Sequence, residues 1–584
     1  MAEWTLRTLG AGAGALEFGA ILLPLGLALV LALCARAPAD SAEFDGRKGE
    51  LSPWGVGLSL AASDLALAAA LILLPLSAAG PYGGLVCLQG LVIGGVLGRW
   101  LVSRWLLPAC FAARERGVLA TIEERLGGRA GALAAAVFSG GVLLATTGRV
   151  FLFVFALHVS IGASLPGGWA GFGWIALGVW AIAALLTLVR GLRGSIAGDG
   201  LLLAVLLAAA IAGLVGLVGQ LDLHWERFFD ALLGSRKHIP LGFATSPGLE
   251  HTFWTALFVS SLASAAHYGA DPLQLTRLLA TGSLARARKA LWVSLAGVLP
   301  ALVLCLVGAG LLAWMEQLAA SGSPSDPIVG IREETRWPAI VAERLPAWTR
   351  ALVLAGFAAS AVLAAKSVLA ALVQLSAARM RRRSGDPSLR WMRLATLALA
   401  LVLLVAGLAL APWIAARPSV LDGLYRAGEC ALGLVFAAAG LALLRRPPAA
   451  EGLFWAAPLA LVGVMLLATR GPRAILAAEL FAASYFLAWA AWRFLPDWFG
   501  YRRRAGALVE LAAVAAAVLL LVWGVRWGLS PIERHFRYDS EWLWLPLSPA
   551  WYVPTGGWIG FVFGCLLARG SAGSGEGIAQ TSAR

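Results

Sequence analysis

Charge is scarce in this sequence. Asp, Glu, Lys and Arg make up 13% of its 584 residues, about half the share found in soluble domains, which excludes a large water-facing surface. Histidine and cysteine are rarer still, with six of each. The cysteines (Cys34, Cys87, Cys110, Cys305, Cys430 and Cys565) lie in or beside apolar runs and show no C-x-x-C spacing. They read as small core side chains, not as a metal or disulfide framework. No Walker A, H-E-x-x-H or G-x-S-x-G motif occurs, and no G-x-G-x-x-G opens a βαβ unit. ATP-driven pumping and hydrolytic chemistry by this chain are therefore not expected. The longest polar stretch between apolar runs is about 35 residues, too short to build its own core. No enzyme activity is expected.

What the chain has is apolar length: 60% of its residues are hydrophobic, in runs that recur from end to end. Runs of 18 or more such residues predict membrane-spanning helices, and the alternating ten-residue segments of a membrane barrel are missing. The pattern predicts fifteen spans near 14–35, 53–77, 83–108, 131–162, 169–190, 199–220, 251–270, 289–314, 349–378, 391–413, 419–444, 453–469, 474–495, 504–528 and 550–569. Fourteen remain open, the pair over 419–469 being the weakest. The start lacks the short basic region and cleavage site of a signal peptide, so the first span is expected to stay.

The formal charge of +14 suggests nucleic acid until its placement is considered. Arg36, Arg47, Lys48, Arg114, Arg116, Arg125, Arg129, Arg190, Arg193, Arg277, Arg286, Arg288, Lys289, Arg379, Arg381–Arg383, Arg445, Arg446 and Arg502–Arg504 all fall on one side of the alternating topology. The opposite connections at 80–84 and 162–168 carry no charge. This asymmetry puts the N-terminus outside and the C-terminus inside. The partners expected are membrane lipid and a small solute, with no nucleic acid. Segments 221–250 and 315–348 read as outside loops with short amphipathic helices. The Gly/Ser-rich end reads as a disordered tail.

One cation stands where a span is otherwise apolar. Lys366, in FAASAVLAAKSVLAALVQLSAARM, lies about 12 residues, or roughly 18 Å of helix, short of the Arg379–Arg383 cluster. A charge at that depth costs about 2.5–3.5 kcal/mol or more unless it is paired. Asp64, in SLAASDLALAAALILLPLS, lies roughly 16 Å from the same side. Matching depths predict a buried Lys366–Asp64 pair.

From about residue 44 onward, ordered blocks carry a resemblance. They are FDGRKGELSPWGVGLSLAAS, LVIGGVLGRWLVSRWLLPACF, VLATIEERLGGRAGALAAAVF, GLRGSIAGDGLLLAVLL, SSLASAAHYGADPLQLTRLLATGSLARARKALW, LPAWTRALVLAGFAASAVLAAKSVLAALVQLSA and EWLWLPLSPAWYVPTGGWIGFVFGCLLA. In this order the chain resembles the sodium:solute symporter family of sodium–sugar and sodium–proline carriers; residues 453–530 match weakly. The resemblance implies an all-α polytopic membrane protein with the five-plus-five inverted-repeat (LeuT-like) core and extra flanking helices, in the cytoplasmic membrane. The divisions are 1–48 for an extra helix and loop, 49–445 for the core, 446–572 for flanking helices and 573–584 for the tail. Such carriers break the first helix of each repeat near the midplane. Here those helices hold Ser63, Asp64 and Pro75, and Ala266 to Pro272 with Gly269.

The resemblance also assigns residues. The family's sodium-coordinating carbonyls fall at Ala62, Leu65 and Ser360, while its two sodium-site hydroxyl side chains are replaced by Leu363 and Ala364. Sodium needs hard oxygen ligands, so this loss, with Lys366 two residues on, suggests a tethered cation standing in for the ion. The carrier would then be sodium-independent or proton-coupled, with Na+ or H+ the only coupling ion in question and no other cofactor. A purely structural role for Lys366 remains open. Asp199 falls at the family's acidic position on the fifth core helix, or is a solvated helix-start carboxylate. Solute-binding positions fall at Asp64, Ser264, His267 and Tyr268. Ala68 and Ala69 replace two polar sugar ligands, which argues against a hexose and for a small charged solute such as a carboxylate or amine. Arg149 and His158 share the third core helix, with structural pairing favoured for Arg149. Arg99 and Arg104 are expected to line cytoplasmic water. The glycine-rich pieces are read as close helix contacts. A transporter-derived receptor or subunit that no longer transports is the competing reading.

Overall fold

The computed structural model describes residues 14–44, 46, 51–79, 84–112, 117–165, 168–221, 224–234, 238, 241–243, 252–320, 333–416, 418–444 and 557–562. Apolar segments in lipid must satisfy their backbone groups internally, and every described regular element is helical. In chain order these are α1 (Ala15–Cys34), α2 (Pro53–Leu67), α3 (Ala70–Ala79), α4 (Leu85–Ala112), α5 (Val118–Leu126), α6 (Gly128–Ile161), α7 (Trp169–Ala197), α8 (Asp199–Val218), α9 (Trp225–Gly234), α10 (Ser261–Gly269, entered through a π-helical turn), α11 (Pro272–Leu279), α12 (Leu284–Leu318), α13 (Glu333–Glu343), α14 (Ala347–Ser384), α15 (Leu389–Ala416) and α16 (Pro418–Ala442). Among the described residues, eight helices are long and apolar enough to cross a membrane, or nine with the bent pair α2–α3. Their limits follow the sequence pattern closely. The spans expected at 453–469, 474–495 and 504–528 lie outside the described residues, as does most of 550–569 and the tail.

Helix α14 is the hub. It packs against α8, α1, α6, α7 and α2, and nearly all of its apolar window is buried. Its small residues allow this: Ala358, Ala359, Ala361, Ala364 and Ala365 are all inaccessible, so neighbouring backbones can approach closely. Helices α1 and α15 are peripheral and turn Leu22, Leu23, Leu394 and Leu401 outward, as a lipid-facing surface requires. The extra helix α1 is tied to the hub by Glu17, whose Oε1 accepts from Arg350 Nε at 3.0 Å and Nη2 at 2.5 Å.

Two breaks and one kink shape the interior. Helices α2 and α3 meet at 60°, and the turn passes through Ala69, which has φ +50°. The break therefore sits after Asp64, while Pro75 remains inside α3. A non-glycine residue in the left-handed region is held there by its surroundings. The second break follows the Gly269–Pro272 signal, with α10 ending at Gly269 and α11 starting at Pro272. Helix α7 turns at Gly191, φ +60°, where an added Cβ would lie 2.3 Å from the Phe44 carbonyl oxygen.

Candidate functional site

The two broken helices present their last turns to each other. Asp64 is in the final turn of α2, and His267 and Tyr268 are in the final turn of α10. Their close approach depends on α4, where Gly94 and Gly98 lie against Ser260 and Ser264. A Cβ at Gly98 would stand 2.5 Å from the Ser264 Cβ and 2.7 Å from the Ser261 carbonyl oxygen. The glycines of VIGGVLG are thus contact points between α4 and α10.

Asp64 joins three elements. Its Oδ1 lies 3.0 Å from His267 Nε2 and accepts from Gln274 Nε2 at 3.3 Å. Its Oδ2 lies 3.7 Å from Arg99 Nη2. Arg99 donates to the Tyr268 hydroxyl and, through Nε, to Ser294 Oγ at 2.9 Å. Its guanidinium carbon stands 4.2 Å from the Tyr268 ring centre, within cation–π range. On the far side of the imidazole, His267 Nδ1 lies 3.6 Å from Asp271 Oδ2.

These groups border a cavity of about 470 Å³ whose wall includes Asp64, Arg99, Arg149, Ser264, His267 and Tyr268. Its size suits a small organic solute. The side chains of Asp64 and His267 are 23% and 27% exposed, so both are reachable from it. Ser264 Oγ is buried with no hydrogen-bond partner among the described residues. The cavity runs along α3 to Ser77 and along α4 to Cys87, toward the 80–84 connection.

A second polar cluster lies between α2, α7, α8, α11 and α14. Lys366 is ion-paired with Asp199, both side chains being 0% exposed, and Lys366 Nζ also donates to the Ser195 carbonyl at 2.7 Å. The other carboxylate oxygen of Asp199 accepts from Ser59 Oγ at 2.6 Å. One turn away, Arg277 donates to Ser63 Oγ at 2.6 Å, the Ser59 carbonyl at 3.3 Å and Ser367 Oγ at 2.7 Å. Two buried cations therefore fasten α14 to its neighbours α2, α7, α8 and α11.

This arrangement corrects several expectations. Lys366 pairs with Asp199 and not with Asp64; depth along two helices gave equal heights, but not the faces on which the side chains stand. Asp199 is no solvated helix-start carboxylate, because the kinked end of α7 and the hub cover it completely. Arg277 is not a loop charge but a buried residue, since it stands on α11, which packs against α2 and α14. Arg99 likewise enters the cavity wall rather than cytoplasmic water, whereas Arg104 is exposed.

The other expected positions divide between two places. Asp64, Ser264, His267 and Tyr268 share the cavity. Ala62, Leu65, Ser360, Leu363 and Ala364 are buried on the packed helices α2 and α14, on the same two helices as Ser59, Ser63 and Lys366, and of these five Leu65 also borders the cavity. Gln274, Ser59, Ser367 and Ser294 carry no role in the sequence reading, whereas Ser63 enters it only beside Asp64 at the expected break. Isolated small polar residues within apolar runs, and the amphipathic pattern of PLQLTRLL, were the available signals.

No family profile matches the sequence, and no curated protein matches it. Among solved structures, the chain is similar to a Na+-coupled sialic acid symporter in a substrate-bound, outward-open state. The identity is 14%, over 95% of this chain and 98% of that one, with a TM-score of 0.67. A manganese transporter of Eremococcus coleocola aligns over 90% of this chain and 98% of that one at 13% identity, but its TM-score is only 0.36. The first likeness establishes the fold: an all-α, multi-pass membrane protein built on the inverted-repeat transporter core.

Proposed function

We propose that this chain is a secondary active transporter that carries a small charged solute across the cytoplasmic membrane by alternating access, without sodium. The observation that carries the reading is the cavity at the meeting point of two broken helices, with Asp64, Arg99, Arg149, His267 and Tyr268 in its wall. Interrupted helices expose backbone groups and helix ends to a solute at the middle of the bundle. The wall sets fixed charge of both signs, Asp64 against Arg99 and Arg149, beside its hydroxyls, which suits a carboxylate or zwitterion. Loop charge supports an outside N-terminus and an inside C-terminus, so the cavity's long axis points outward and the two buried cations lie on its inner side.

Sodium independence is supported by Leu363 and Ala364, which offer hydrocarbon where the resemblance implies hydroxyl ligands. It is supported too by the Lys366–Asp199 pair, a cation already fixed on the same helix. Transport then arises from differential solute binding to outward and inward states.

The test is uptake into liposomes of labelled pyruvate, succinate, glycine and proline, with sodium or choline outside. Saturable uptake that is equal in the two salts is expected. Uptake seen only with sodium would defeat the sodium-independent half. Absence of flux for every probe would favour a receptor descended from a carrier.

A further inference from the structure

The imidazole of His267 occupies a setting that the uncharged ring does not satisfy. Its Nε2 faces Asp64 Oδ1 at 3.0 Å and its Nδ1 faces Asp271 Oδ2 at 3.6 Å. Both neighbours are hydrogen-bond acceptors, while a neutral imidazole has one N–H and one lone pair. In either tautomer, one ring nitrogen turns a lone pair toward a carboxylate oxygen. Only the doubly protonated ring turns a proton toward both, donating to Asp64 and pairing by charge with Asp271. A third group accommodates the other state: Gln274 Nε2 stands 3.3 Å from His267 Nε2 and 3.3 Å from Asp64 Oδ1. When the ring nitrogen holds a lone pair, the amide can donate to it; when it holds a proton, the amide can donate to Asp64.

We infer that His267, held between Asp64 and Asp271 in the cavity wall, is where the coupling proton binds, so that the carrier moves its solute together with H+. This rests on the transporter reading above and supplies its coupling ion. The step balances simply. A ring nitrogen lone pair takes a proton from water in the outward cavity, and both N–H groups then point at carboxylates. After inward opening, the same proton returns to water on the other side.

The surrounding charges fit this role. Asp64 comes from α2, Arg99 from α4, Arg149 from α6, Ser294 from α12, and Tyr268, Asp271, Gln274 and Arg277 from the His267 segment itself. Asp64 and Asp271 are opposed by Arg99 and Arg277, whose charges interact with them, so with a neutral ring these four sum to zero. The added proton makes the set positive, in a cavity that also holds Arg149. An anionic solute and the proton therefore favour each other's binding. Among the described residues, no cluster of His, Cys, Asp or Glu has the arrangement of a metal site.

The same Gln274 amide also touches the second polar cluster. Gln274 Oε1 is 3.4 Å from Ser63 Oγ, and Ser63 accepts from Arg277, which reaches Ser367 on α14. A turn of the Gln274 amide is thus felt in the bonds that hold α2 to α14.

Two measurements test the inference. The first is nitrogen NMR of the full chain with labelled histidines in lipid nanodiscs, with His267→Gln identifying the signal. The ring should pass between its one-proton and two-proton forms as the pH is varied; a ring that keeps one protonation state throughout overturns the proposal. The second is liposome flux of labelled pyruvate, succinate, glycine and proline. An acid-outside gradient should drive accumulation above equilibrium in the natural chain. In His267→Gln this accumulation should be lost, and whatever solute exchange remains should be the same with and without the gradient; accumulation that still follows the gradient in this variant overturns the assignment to His267. Flux indifferent to the gradient in the natural chain overturns the proton role and leaves the carrier reading standing. No flux of any probe overturns the carrier reading, and the proton role with it.

Discussion

Lys366 and Asp199 face each other with no solvent contact on either side chain, and the lysine also caps the Ser195 carbonyl at the end of α7. Three helices therefore share one buried cation. Breaking such a pair by removing one partner costs about 3–5 kcal/mol, because the other charge is left buried alone. Lys366→Met should lower the thermal unfolding midpoint of the purified protein sharply. Lys366→Met with Asp199→Asn should recover most of the loss, since no uncompensated charge then remains. Equal unfolding of the single and double variants would contradict the pairing.

Arg277 is the second fastener. Its bonds to Ser63 and Ser367 join α2 to α14, on the side of the cavity that the proposed topology makes the inner one. Hydrogen bonds involving a charged group contribute about 1.5–3 kcal/mol each. Arg277→Ala should accordingly favour inward opening by about tenfold or more. The readout is maleimide labelling from the inner side of a single cysteine placed at Leu58, with the native cysteines replaced. An unchanged labelling rate would show that these bonds do not hold the inner side shut.

Close packing at Gly98 makes a contrasting pair of substitutions informative. Gly98→Ala places a methyl against the Ser264 side chain and the Ser261 carbonyl, and overpacking of this kind costs about 1–3 kcal/mol. Gly140→Ala, with nothing within 4 Å of the added carbon, should be neutral or stabilising by up to about 1 kcal/mol, as a helical alanine is preferred over glycine. Thermal midpoints of the two variants check both expectations. Solute exchange should fall in Gly98→Ala alone, because Ser264 lies in the cavity wall.

Much of the fold could be read directly from residues. Long apolar runs must become helices in lipid, so the limits of α6, α8, α14 and α15 follow from composition alone. The Gly269–Pro272 break carried its own signal. The α2–α3 break did not, because Ala68 and Ala69 are ordinary helix formers and the bend is imposed by packing. The cavity residues Asp64, Ser264, His267 and Tyr268 were singled out by resemblance, and the structure gathers them around one space. Lys366 announced itself as a cation in hydrocarbon, yet its partner was misassigned: a linear sequence encodes how deep a residue lies more readily than which way it faces. Arg277 was hidden for the converse reason. Near a span's end a basic residue looks like a loop charge, and only the packing of α11 against α2 and α14 makes it a core residue.

The left-handed turn at Ala69 has an implication for how this chain can vary over evolutionary time. Backbone of that hand costs a side-chain-bearing residue roughly 1–2 kcal/mol, and branching at the β-carbon makes it prohibitive. Valine, isoleucine and threonine are therefore shut out of a position that otherwise looks like anonymous hydrocarbon, while glycine, which has no β-carbon, is admissible. Descendants of this gene should exchange apolar residues of similar volume along that largely buried run of alanines and leucines, but keep alanine or glycine at its sixty-ninth codon.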